Sequence, residues 1–128
     1  MKTNTYIKLL ILLTLIVTAF HLGIIVKLIP YDVVWGGRLK TDSEMYRFEI
    51  ISVLVNLFLI SVLLIKGSYL KLRVNKNAVN IVLWGFFIVF SLNTIGNILA
   101  NTTFEKFFSV LTLVLAILIW NILRKKNN

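Results

Sequence analysis

The sequence predicts an all-α integral membrane protein, a single domain over residues 1–128. The expected architecture is an up-down bundle of four transmembrane helices, both termini cytoplasmic (N-in/C-in), with a polar cup in the outer half. Three observations carry this. Hydrophobic residues make up 59% of the chain and the mean hydropathy is +0.90, far outside the range of soluble domains. The apolar residues fall in four long runs, Leu9 to Val26, Ile50 to Ile65, Val79 to Ala100 and Phe107 to Leu123. About 20 such residues cross a hydrocarbon layer of about 30 Å as a helix, which sets four spans at roughly 6–29, 43–65, 78–100 and 103–123.

The third observation is the partition of charge. Lys2 and Lys8 precede span one, Lys66, Lys71, Arg73 and Lys76 lie between spans two and three, and Arg124, Lys125 and Lys126 follow span four. These are nine cations with no carboxylate among them. The opposite segments hold Lys27, Arg38, Lys40, Arg47 and Lys106 against Asp32, Asp42, Glu44, Glu49 and Glu105, an even balance. The whole net charge of +9 therefore belongs to one face, which the positive-inside rule makes cytoplasmic. Such a basic excess sets topology and meets anionic membrane lipid, so nucleic acid is not an expected partner. Aromatic residues fit the same layout: Tyr6, Tyr69, Trp84 and Trp120 fall near the inner surface, Tyr31, Trp35 and Tyr46 near the outer one. Abundant Lys, Asn and Ile with little Ala and Gly suits an AT-rich bacterial genome, and the expected location is a bacterial inner membrane.

Span one begins with two lysines and LLILLTLIV, followed by Val17-Thr18-Ala19, which imitates a signal peptide with a small-residue cleavage site. The apolar run continues past Ala19 to Val26, so a retained helix is expected. The first outer loop, PYDVVWGGRLKTD, holds the only proline and Gly36-Gly37, both turn signals. A glycine pair beside Arg38 and Lys40 has the makings of an anion cradle; an interfacial turn anchored by Trp35 is the simpler expectation. Thr41-Asp42-Ser43-Glu44 is a capping box that starts the second helix, and Thr102-Thr103-Phe104-Glu105 repeats the pattern for the fourth. Spans three and four are joined by a tight turn at Asn101, where Asn101-Thr102-Thr103 matches a glycosylation sequon but reads as helix-terminus chemistry.

Each span carries one polar stripe. Residues three, four and seven apart share a helix face. Thr14, Thr18 and His21 align on span one; Glu49, Ser52 and Asn56 on span two; Asn93 and Asn97 on span three; Glu105, Ser109, Thr112 and Ala116 on span four. Polar side chains at membrane depth turn toward the bundle interior. At about 1.5 Å per residue, His21, Asn56, Asn93 and Thr112 lie roughly 10–13 Å below the outer helix ends, with Glu49, Asn97 and Glu105 about one turn nearer the surface. The inner halves are almost wholly apolar. The sequence thus predicts a ligand pocket in the outer half, lined by His21, Glu49, Ser52, Asn56, Asn93, Asn97, Glu105 and Thr112, with His21 sharing a hydrogen bond or bridging water with Asn56 or Asn93. The competing expectation is that the amides only join helices, at about 0.6 kcal/mol each and up to about 2 kcal/mol.

No catalytic residue is singled out. The serines and threonines show no elbow or triad spacing. His21 with Glu49 and Glu105 suffices in principle for acid–base work, but an enzyme is not the expected reading. One histidine without paired-ligand spacing predicts no metal site, no cofactor is implied, and the absence of cysteine excludes thiol chemistry and disulfides. Ala19 and Gly23, opposite His21, form a small-residue pair that would suit homodimerisation or packing within the bundle. The expected function is an outward-facing intramembrane pocket for a lipid-like or small amphipathic molecule. Two other readings compete: an accessory or immunity-type subunit of a membrane complex with no ligand, and, less favoured for want of a polar route through the inner half, a small oligomeric transporter.

Overall fold

The computed structural model describes residues 3–31, 39–100 and 103–124. Four helices account for most of them: α1 (Thr3–Ile25), α2 (Asp42–Lys66), α3 (Lys76–Ile98) and α4 (Thr103–Arg124). No strand occurs among the described residues. All four helices are long and apolar enough to cross a membrane. Trp35, Gly36-Gly37 and Arg38, the Asn101-Thr102 turn with its share of the second capping box, and the terminal lysines Lys2, Lys125 and Lys126 lie outside the described residues.

The helix ends follow from local chemistry. Thr41 caps α2: its hydroxyl accepts from the Glu44 amide at 3.2 Å while Glu44 Oε1 accepts from the Thr41 amide at 3.2 Å, the reciprocal box expected from the sequence. Asn75 caps α3 by accepting from the Asn77 amide at 2.8 Å. α1 ends four residues short of the expected boundary at residue 29. Lys27 turns left-handed (φ 66°), and the amides of Leu28 and Lys27 close back on the carbonyls of Gly23 and Ile24 at 2.9 and 3.0 Å. That is a Schellman stop with lysine where glycine is usual. It folds Ile29 onto Gly23, where an added Cβ would stand 2.9 Å from Ile29 Cδ1. α2 ends in the same way: Ser68 is left-handed (φ 64°), and the Tyr69 and Ser68 amides donate to Leu64 and Ile65 at 2.9 and 3.1 Å.

Successive helices run antiparallel, as the contacts between their ends require. Tyr69, just past α2, donates its hydroxyl to Asn4 at the start of α1 (2.6 Å), while His21 near the end of α1 meets Glu49 near the start of α2. Lys66 donates to Asn80 at 2.7 Å, tying the end of α2 to the start of α3. Thr94 and Thr112 share a hydrogen bond of 2.8 Å, and Trp84 and Trp120 pack edge to face at 5.6 Å, so α4 runs back along α3. Phe20 of α1 stacks on Phe104 of α4 with centroids 5.4 Å apart. α3 packs most closely on α4 and α1 on α2, α1 and α4 join the two pairs, and α2 and α3 touch less.

Two apolar clusters fill the interior. The larger occupies the half of the bundle holding the start of α1, the end of α2, the start of α3 and the end of α4, with Leu10, Leu63, Leu83, Ile119 and Ile122 fully buried. The smaller joins Ile24, Leu39 and Met45, with Phe20 and Ile29 against it, and anchors the chain as it enters α2. Outside, large apolar side chains are exposed on every helix, among them Ile16, Leu54, Ile88, Leu92, Phe107 and Val110. A sheath of that extent is foreign to a water-soluble surface.

Candidate functional site

Between the two apolar clusters the helices part. A cavity of about 420 Å³ opens there, inside the range of about 300–1,000 Å³ typical of small-molecule sites. α1 contributes Val17, Phe20 and His21; α2 contributes Ile51, Ser52, Val55 and Asn56. α3 contributes Phe86, Val89, Phe90, Asn93 and Asn97, and α4 Glu105, Phe108, Leu111, Thr112 and Leu115. Phe86 and Leu115 belong also to the large apolar cluster, so the cavity floor is the roof of that core.

Seven of the eight residues marked by the sequence line this one cavity: His21, Ser52, Asn56, Asn93, Asn97, Glu105 and Thr112. The eighth, Glu49, stands behind His21. Its side chain is 0% exposed, and its Oε2 shares a hydrogen bond with His21 Nδ1, whose ring is 16% exposed. This departs from the hydrogen bond to Asn56 or Asn93 expected from the sequence. The physical reason lies in register: Glu49 is two turns closer than Asn56 to the N-terminal end of α2, level with a histidine four residues from the end of α1. A carboxylate on Nδ1 fixes the imidazole orientation and leaves Nε2 on the open edge of the ring, an acceptor when the ring is neutral and a donor when it is protonated.

Asn56 is 9% exposed, and its side-chain nitrogen has no hydrogen-bond partner. Such a group in an apolar interior is costly unless something supplies the acceptor. Ser52 donates to the Phe48 carbonyl at 3.0 Å, a bond within its own helix that leaves the oxygen able to accept. The stripe on α3 is turned from its expected setting. Asn93 is exposed and Asn97 partly so, both at the cavity edge, while Thr94 takes the interior position and bonds Thr112. Sequence reasoning missed Thr94. Its signal was present, since Thr94 precedes Thr112 across the hairpin at matched depth.

The remaining stripe members are structural. Thr14 and Thr18 are buried and return their hydroxyls to the carbonyls of Leu10 and Thr14 at 2.7 and 2.8 Å. Ser109 is buried, donating to the Lys106 carbonyl at 2.5 Å. Phe20 packs on Phe104 and Phe108, at 5.4 and 5.1 Å, forming an aromatic wall that sequence spacing did not disclose. Ala19 is exposed, and Gly23 is covered by Ile29 of the same chain. Among the described residues no three His, Cys, Asp or Glu side chains come together as a metal site.

No known protein family, curated protein or solved structure matches the chain.

Proposed function

We propose that the chain crosses a bacterial cell membrane four times with both termini cytoplasmic, and that its outer-half cavity binds a lipid-like or small amphipathic molecule. The apolar sheath and the partition of charge in the sequence, nine cations without a carboxylate on one side of the spans, support the topology. One observation carries the binding role: the unpartnered amide nitrogen of Asn56, nine-tenths buried, on the wall of an apolar cavity that also holds His21, Asn93 and Asn97. Few polar groups converging in a concave, aromatic-walled space is the usual form of a small-molecule site. The proposed role is binding rather than turnover, because the serines and threonines show no elbow or triad spacing toward His21.

Native mass spectrometry of gently extracted protein tests this. A bound amphiphile that is lost in His21→Ala and Asn93→Leu, with both variants still folded, is the expected result. Protein that carries no adduct, or an adduct that both variants retain, would make the polar groups interhelical joints and favour the accessory-subunit reading.

A further inference from the structure

The make-up of the cavity wall narrows the class of occupant, on the footing of the binding role just proposed. Four phenylalanines are among its described lining residues, and they form two pairs. The ring centroids of Phe20 on α1 and Phe108 on α4 are 5.1 Å apart. Those of Phe86 and Phe90, one turn apart on α3, are separated by 6.1 Å. Among the described residues no ring contact joins one pair to the other, so the wall is aromatic at two separate places. An acyl chain gains from such a wall only the area it buries, and its rotors must be frozen on entry. A flat ring has no rotors to lose. An aromatic pair is also favourable beyond its buried area, by a factor of about two to ten in affinity.

The polar part of the wall adds a second requirement. The side-chain nitrogen of Asn56 is buried without a hydrogen-bond partner. Its amide turns about a soft torsion, so this donor can be presented to the cavity, and only an acceptor satisfies it there. An oxygen carried on the ring supplies one; a bare aromatic hydrocarbon does not. The His21 ring stands in the same wall, partly exposed, able to partner a second ring oxygen as donor or acceptor. Ile51, Val55 and Val89 line the cavity and are also exposed, an apolar mouth for a hydrocarbon tail. Ring, oxygen and tail are all recognised without any charge on the occupant.

We propose that the cavity takes the head of a membrane quinone: a flat ring bearing carbonyl oxygens, seated against the phenylalanines, with one carbonyl accepting from Asn56 and the tail leaving past Val55 and Val89. The purified full chain in nanodiscs, offered equal amounts of three neutral probes, tests this by native mass spectrometry. Decyl-naphthoquinone has ring and carbonyls, decylnaphthalene the ring alone, and decyl methyl ketone a carbonyl alone. The quinone should be retained about tenfold over each of the others. Asn56→Leu should erase its advantage over decylnaphthalene, and Phe90→Leu should cut its advantage over the ketone about threefold. The carbonyl stretch of quinone bound to the parent protein, read by infrared difference spectroscopy with an isotope-labelled probe, should fall below that of free quinone in the same nanodiscs. That readout tests the bond to Asn56 even if Asn56→Leu fails to fold.

Equal retention of quinone and decylnaphthalene, or an unshifted carbonyl stretch, overturns the assigned bond. Equal retention of quinone and ketone overturns the ring. A quinone preference that both folded variants leave intact overturns the site. Retention of none of the three by the parent protein overturns the proposal, and the binding role falls with it only if gently extracted protein also carries no amphiphile.

Discussion

His21 Nδ1 and Glu49 Oε2 share a hydrogen bond across the α1–α2 interface, the carboxylate wholly buried and the ring facing the cavity. Neither residue is at home there alone, and their pairing makes the strongest single prediction. His21→Leu takes one hydrogen-bond partner from a buried carboxylate and should destabilise the fold by about 2 kcal/mol. The double substitution His21→Leu with Glu49→Leu removes both polar groups and should recover most of that loss. Unfolding in mixed micelles, read as a double-mutant cycle, gives the coupling directly. Losses that simply add would mean the pair is not a unit.

The Thr94–Thr112 bond joins α3 to α4 at 2.8 Å within the bundle. Each hydroxyl also lies within reach of a carbonyl of its own helix, Thr94 of Phe90 at 2.9 Å and Thr112 of Ser109 at 3.1 Å, so the one that accepts across the interface donates there. Replacing either by valine should therefore cost only about 0.6 kcal/mol, the ordinary worth of an interhelical bond in a membrane. Thermal melts of Thr94→Val, Thr112→Val and the pair should show the second substitution adding almost nothing to the first.

Ser68 holds a left-handed conformation that favours glycine. Ser68→Gly relieves strain of about 1 kcal/mol and should raise the melting temperature. The neighbouring Gly67→Ala should lower it, because an added Cβ would stand 2.7 and 2.9 Å from carbons of the Tyr69 ring. That ring is tied to Asn4 through its hydroxyl, so its retreat would break the link between α1 and the turn after α2. Equal melting temperatures for the two variants would contradict this account.

Lys27 and Asp42 pair at 2.5 Å on the exposed edge of the α1–α2 connection. The hydrogen bond and charge of Asp42 hold the Lys27 ammonium above its ordinary value of 10.5. A base whose pKa is higher folded than unfolded contributes stability that is complete below 10.5 and fades as pH rises through the folded value. A small loss of stability on that alkaline side should disappear in Lys27→Met and shrink in high salt. Melts from pH 8 to 12 or so are the measurement, and a loss confined to acid pH would contradict the assignment.

Topology is open to chemical labelling because the chain has no cysteine. Ser43→Cys and Lys71→Cys each place a thiol at an exposed position on opposite ends of α2 and its flanks. An impermeant maleimide should modify position 43 in intact cells and position 71 only after lysis. The reverse pattern would invert the proposed orientation.

Much of this molecule is legible in its residues. The four helices follow from hydropathy, and Thr41 with Glu44 announced the start of α2. Depth and stripe together gathered His21, Asn56 and Thr112 around one space. What spacing cannot supply is the rotation of each helix against its neighbours. On α3 the difference between Asn93 and Thr94 is one residue, about 100° of helix, and it moves an amide from the interior to the mouth. The partner of His21 was missed for the same reason, since Glu49 and Asn56 share a face and only the packing of α1 on α2 decides which is level with the ring. Lysine and serine at left-handed helix ends gave no warning either, as both act where glycine is the usual sign.

The packing beneath the cavity has an electrical consequence. Leu63, Leu83 and Ile119 are wholly buried in the apolar core under the cavity floor. Aliphatic side chains packed together offer no polar path, so in a membrane holding a potential that layer would insulate whatever the cavity above it contains.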